Sequence, residues 1–135
     1  MERNVLYVDF YEAQERPMLL LASHDRAILR LLSETMKSLA MATVSSVAIE
    51  HLEHVKMMFD GELRLELLRP RRLADNVDIF AERRDRKLRI RWCASKDEWH
   101  DNADMVVRLS EATVRSCQYL SLPTCSVNAS VEYLG

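Results

Sequence analysis

The chain nearly repeats itself, and a duplication constrains a fold more than composition does. Slid so that Asn4-Val5 meets Asn76-Val77, Ala22-Ser23-His24-Asp25 falls on Ala94-Ser95-Lys96-Asp97 without a gap. After a small insertion in the second copy, Leu32-Ser33-Glu34-Thr35 meets Leu109-Ser110-Glu111-Ala112, and Lys37-Ser38 meets Arg115-Ser116. Ile49-Glu50-His51-Leu52 closes one copy and Val131-Glu132-Tyr133-Leu134 the other. The matches keep the same order. They predict two related units, about 4–52 and 76–134.

Each unit opens with two alternating runs, VLYVDF then MLLLA in one and VDIFAE then LRIRWCA in the other. Alternation of apolar and polar residues is the signature of a strand. Arg84-Asp85-Arg86 between two such runs predicts a hairpin. Ser95 followed by Glu98 forms a capping box, and Asp97, Asp101 and Asp104 suit a helix start. Helices are expected over about 24–39, with Ile28, Leu32, Thr35 or Met36, and Leu39 on one face, and over about 96–117, with Trp99, Ala103, Val106, Thr113 and Cys117. Closing strands are expected around 46–52 and 127–134. The unit is thus strand-strand-helix-strand. Between the copies, Asp60-Gly61 reads as the turn of an extra hairpin, with Val55, Met57 and Phe59 on one strand and Leu63, Leu65 and Leu67 on the other. The expected fold is α+β, an antiparallel sheet with two helices packed on one face, in a single domain spanning 1–135.

Composition narrows the function classes. A chain of 135 residues, 48% hydrophobic and 30% charged, is globular in character. No apolar run approaches the ~20 residues that span a bilayer, and the N-terminus has no secretory pattern. Three cysteines without CxxC spacing point to reduced thiols and a cytoplasmic home. Only two glycines are present, Gly61 and Gly135, which excludes a glycine-rich phosphate loop. No cofactor is expected.

The copies differ on one strand face. With Val5, Tyr7, Met18, Leu20 and Ala22 taken as core-facing, the opposite face of the first copy is Leu6, Val8, Phe10, Leu19 and Leu21. The matching face of the second copy is Asp78, Phe80, Glu82, Arg89, Arg91 and Cys93. An exposed patch of five large apolar residues marks an interface. Leu6, Val8, Phe10, Leu19 and Leu21 are therefore the candidate surface for a homodimer or a protein partner, the alternative being that the chain covers them itself.

Candidate chemistry is sparse. His51 and His54 could share a metal with Glu50 or Glu53, but no third ligand follows from spacing. Asp9 stands on the inward side of an apolar strand, where a carboxylate could do acid–base work, though a strand-end carboxylate reaching water is the simpler reading. His24 reads as structural. Cys93 lies near Arg91 and Lys96, cations that could activate a thiol, yet a plain half-buried cysteine is the simpler reading. Residues 62–91 hold ten Lys/Arg and six Asp/Glu, a net +4; the whole chain is −2, so the remainder carries −6. Arg69, Arg71, Arg72, Arg83, Arg84 and Arg89 form a candidate basic patch for phosphates or an acidic protein, the simpler reading being charged edges that discourage sheet aggregation. No aromatics are interleaved for stacking, which disfavours nucleic acid.

The pieces LLLAS…LRLLSETMKS…IEHL and RWCAS…VRLSEATVRS…VEYL resemble small bacterial immunity-type proteins of polymorphic toxin systems. The resemblance covers most of the chain, although the turns lack the glycine such proteins lead one to expect. It implies neutralisation of a toxin by binding, without catalytic residues. The expected function is thus a non-enzymatic interaction module. The alternatives are a small-ligand or metal-dependent enzyme with a pocket near Asp9, His51 and Tyr133, and a nucleic-acid binder using the basic strands.

Overall fold

The computed structural model describes residues 2–13, 15–68, 78–120 and 125–135. In chain order it contains β1 (Leu6–Tyr11), β2 (Met18–Ser23), α1 (Arg26–Ala40), β3 (Ser46–Ala48), a 3-10 turn (Ile49–His51), β4 (Val55–Met57), β5 (Gly61–Leu67), β6 (Asp78–Arg84), β7 (Lys87–Ala94), α2 (Lys96–Ser110), β8 (Ser116–Tyr119) and β9 (Asn128–Tyr133). The α+β class, the two helices and the strand-strand-helix openings of both copies are as the sequence predicts.

The sheet is not one antiparallel layer. There are two mixed sheets, ordered β4-β1-β2-β9-β8 and β3-β5-β7-β6. The hairpins β1-β2 and β6-β7 are antiparallel, whereas β2-β9 and β5-β7 pair in parallel. Each sheet therefore joins the opening hairpin of one copy to closing strands of the other. The true repeat is strand-strand-helix-strand-strand, with β3 and β5 answering β8 and β9. The likeness of IEHL to VEYL is coincidental, because Ile49–His51 is a 3-10 turn and Val131 to Tyr133 lie in β9.

The helices are also better matched than the sequence slide implies. Both α1 and α2 have 15 residues and need no insertion. The capping box is present, with the Ser95 side chain accepting from the Glu98 N–H. Its counterpart is Asp25, which accepts from the Ala27 N–H at 2.8 Å. Asp25 thus answers Ser95 rather than Asp97. The second helix stops at Ser110 instead of running to 117, since Glu111 caps it and the chain turns into β8. Ser33 and Ala103 hold equivalent places in the two helices, and they meet: the Ser33 hydroxyl donates to the Ala103 carbonyl at 2.8 Å. Small residues there let the helices approach closely.

This shift corrects the face assignment. The strand openings superpose one residue away from the sequence slide, so Val8 answers Ile79 and Leu21 answers Trp92. A one-residue slip turns every strand side chain to the opposite face. Leu6, Val8, Leu19 and Leu21 are at most 3% exposed and join the core, with Phe10 packed against it. The proposed interface is the chain's own interior. Both sheets and both helices feed one apolar cluster that includes Leu29, Met36, Leu63, Ile90, Trp92, Trp99 and Val131. Within it the rings of Trp92 and Trp99 lie 5.2 Å apart and tilted, a contact worth ~0.5–1.5 kcal/mol beyond burial.

The extra hairpin does not form. β4 leaves for the first sheet and pairs in parallel with β1, while β5 enters the second sheet beside β3 and β7. Gly61 serves this crossing in place of a turn. A Cβ there would sit 1.9 Å from the Leu88 carbonyl oxygen, so only glycine lets β5 pass so close to β7. The β6-β7 hairpin is present and closes through Asp85 and Arg86, both with positive φ (51° and 71°), the geometry of a type I′ turn made without glycine.

Candidate functional site

The outer face of the second sheet carries the densest arrangement of charge among the described residues. β5, β6 and β7 each send alternate residues inward to the core, Leu63 and Leu65, Ile79, and Leu88, Ile90 and Trp92. The intervening residues face solvent and align in rows across the strands. One row runs Ala48, Arg64, Arg91, Phe80; the next runs Glu62, Arg89, Glu82; another runs Ser46, Glu66, Cys93, Asp78.

Charge is paired diagonally and along rows. Arg91 grips Glu66 with both arms of its guanidinium, at 2.6 and 3.2 Å. This bond raises the Arg91 pKa further, the nearby Glu66 charge adding to it. Arg89 donates to Glu62 at 2.5 Å and Arg84 to Glu82 at 2.8 Å. Arg64 lies directly opposite Arg91 and has no ion-pair partner among the described residues. Like charges opposite one another in a sheet are destabilising. Beside the pair, Phe80 is 48% exposed. Arg64, Glu66, Phe80, Glu82, Arg89 and Arg91 border a shallow hollow of about 520 Å³.

The face is backed firmly. Trp99 on α2 is fully buried, and its indole N–H donates to the Glu66 carbonyl at 2.9 Å. The residue whose carboxylate holds Arg91 is thus fixed from behind by the helix. Asp78 at the start of β6 accepts from the Ser126 backbone at 2.8 Å and its hydroxyl at 3.1 Å. Cys93 sits between Glu66 and Asp78, and burial foremost, then the Glu66 charge, pushes its thiol up to about 11 against the opposing pull of Arg91. The neighbouring cation therefore does not activate this cysteine.

Of the predicted basic patch, Arg84 and Arg89 reach this face, whereas Arg83 shares the parity of Ile79 and lies on the opposite side of β6, at its exposed end. Arg69, Arg71 and Arg72 lie outside the described residues. Arg64 and Arg91, which complete the surface, were legible as the alternation Glu62-Arg64-Glu66 facing Arg89-Arg91, but only once the parallel register is known.

The other candidates separate. Asp9 is on the outer face of the first sheet, accepting from its neighbour's N–H (Phe10) at 2.8 Å, because the corrected face turns it away from the core. Around it lie Tyr11, Tyr119, Cys117 and Glu132; burial, then the charges of these groups and of Asp9, raise the Tyr11 pKa. His51 is exposed in the 3-10 turn, and Tyr133 is in the core with Arg26 stacked on its ring at 5.2 Å. Asp9, His51 and Tyr133 therefore share no pocket. His54 lies 3.9 Å from Glu53, and no group of three metal-ligating side chains occurs among the described residues. His24 bonds the Gly135 carbonyl at 3.0 Å, holding the C-terminal end against β2. A groove of about 380 Å³ between α1 and the β3–β4 connection is lined by Leu31, Leu32, Leu52 and Val55 together with Glu34, Ser38, Glu53 and His54. No described helix is long and apolar enough to cross a membrane.

Comparison with family models, with curated proteins and with solved structures gives no match.

Proposed function

We propose that this chain is a non-enzymatic interaction module whose outer second-sheet face takes an acidic segment of a partner protein. Its specific form is an immunity-type role, in which that binding neutralises a toxin. The observation that carries the reading is Arg64, an exposed cation without an ion-pair partner among the described residues, set beside Arg91 and the exposed ring of Phe80. A carboxylate from a partner relieves the repulsion between the two guanidiniums and gains charge-assisted hydrogen bonds. Phe80 supplies apolar contact of the kind enriched at interfaces. The charge division of the chain, +4 over residues 62–91 against −6 elsewhere, favours the same partner class.

Nucleic acid is the second reading. Three carboxylates, Glu62, Glu66 and Glu82, stand among the arginines of this face and would repel a phosphate backbone. The test is fluorescence anisotropy with a labelled Asp/Glu-rich peptide and with a labelled duplex DNA, using wild type and Arg64→Glu. The expected result is peptide binding, weakened about tenfold or more by Arg64→Glu, with folding unchanged because Arg64 is exposed. Peptide binding indifferent to Arg64→Glu would overturn the placement. Tighter, steeply salt-dependent duplex binding would replace the reading with the nucleic-acid one.

A further inference from the structure

The groove between α1 and the β3–β4 connection joins an apolar floor to a rim of one chemical kind. Leu6, Ile28 and Leu32 form the floor and belong to the core, while Leu52 and Val55 line the wall half-buried. Leu31 stands at the mouth, 51% exposed, although the other leucines of α1 are buried. Ile28, Leu31, Thr35 and Ser38 recur at helical spacing, so one side of α1 supplies them all.

The opposite lip is held in place. Leu52 donates its N–H to the Ile49 carbonyl at 3.0 Å, and the His54 carbonyl accepts from the Leu6 N–H at 2.6 Å. His54 takes a left-handed backbone, φ 61°, as the chain passes from the 3-10 turn into β4. The hollow is thus built by the fold before any ligand arrives. At about 380 Å³ it has the size of a small-molecule site, and it is too short for the row of anchors that an amphipathic helix inserts.

The side-chain groups at the rim are acceptors almost throughout. Thr35 gives its hydroxyl hydrogen to the Leu31 carbonyl at 3.0 Å, and Ser38 gives its own to the Glu34 carbonyl at 3.1 Å. Lone pairs of those oxygens remain for a guest. Glu34 and Glu53 add two carboxylates. Glu34 has no ion-pair partner among the described residues, and Glu53 has His54 at 3.9 Å. No Lys or Arg lines the groove among the described residues, and His54 is the single lining side chain with a hydrogen free to donate.

We propose that this groove binds a small organic ammonium ion, an amine joined to an apolar ring or short chain. The apolar part covers Leu31, Leu52 and Val55. The ammonium meets Glu34 and Glu53 at the rim, where its N–H groups donate to carboxylate and hydroxyl oxygens. A neutral molecule of the same shape forgoes the charge-assisted bonds, and an anion is repelled by both carboxylates. The −6 that the chain carries outside residues 62–91 attracts the same charge class. This surface is not the one that takes the acidic partner, so either reading can fail without the other.

The experiment is methyl-detected NMR of the whole labelled chain titrated with phenethylamine, phenethyl alcohol and phenylacetate, probes that share a ring and differ in charge. The expected result is saturable shifts at Leu31, Leu52 and Val55 with the amine, binding of the alcohol about tenfold weaker, and none of the carboxylate. Glu34→Gln weakens amine binding about threefold, and Glu34→Gln with Glu53→Gln about tenfold. Both residues are exposed, so the fold is unchanged and the spectrum away from the groove stays that of the wild type. Alcohol or carboxylate binding as tight as the amine's, or amine binding indifferent to the double variant, overturns the inference. So does an amine that shifts no groove methyl.

Discussion

Arg64 and Cys93 lie in adjacent rows of the same sheet face, yet their surroundings set them opposite tasks. Arg64 is exposed and has no ion-pair partner among the described residues, whereas Cys93 is enclosed by backbone, Glu66 and Asp78 and keeps its proton. The thiol pKa is raised from 9.0 to about 11 on folding, so the protonated form is the one the fold favours. The stabilisation this brings is fully present below pH 9.0 and is lost as pH rises through about 11. A thiol-reactive disulfide reagent at neutral pH should therefore modify exposed Cys117 first and leave Cys93 unmodified until the protein is unfolded. Cys93 reacting as fast as Cys117 in the folded protein would contradict this environment.

At the scale of elements, the strength of a local signal decided what the sequence could reveal. The helix starts were legible because a cap is local chemistry: Ser95 and Glu98 sit three residues apart whatever the fold. The β6-β7 hairpin was legible for the same reason, as two alternations around a short polar turn. The face of β1 and β2 was not. Both faces there are largely apolar, with Met18, Leu20 and Ala22 on one and Leu19 and Leu21 on the other, so alternation carries no sign. The sequence slide supplied a sign, and it was one residue out along the strands and two at the helix cap, because the first copy takes an additional residue between β2 and Asp25. Asp60-Gly61 misled in another way. It has the composition of a hairpin turn, but the glycine is required by the Leu88 backbone at 1.9 Å from its would-be Cβ. Gly61→Ala should therefore cost about 1–3 kcal/mol, read as a lower urea midpoint with an unchanged slope. An unchanged midpoint would show that β5 and β7 do not approach as described.

For the whole molecule, the exchange of closing strands between copies matters more than either copy's own structure. β9 of the second copy lies in parallel on β2 of the first, and β5 of the first on β7 of the second. Neither half owns a complete sheet, and the helices meet at Ser33 and Ala103 in the middle of the shared core. Parallel neighbours distant in sequence are the pairings a local reading cannot see, which is why one antiparallel sheet was expected where two mixed sheets occur. Chains divided between Arg72 and Leu73 should each lack a cooperative unfolding transition and should regain one when mixed. A half that unfolds cooperatively alone would contradict the interlocked arrangement.

The central functional claim is that partners meet the molecule on the outer face of the second sheet. The most direct measurement is the change in backbone amide NMR shifts of the labelled chain on titration with the Asp/Glu-rich peptide. Shifts concentrated at Glu62–Glu66, Phe80–Glu82 and Arg89–Cys93 are the expected result. Shifts concentrated instead around Tyr11, Tyr119 and Glu132 on the first sheet, or along the α1 groove at Leu31 and Leu52, would contradict it.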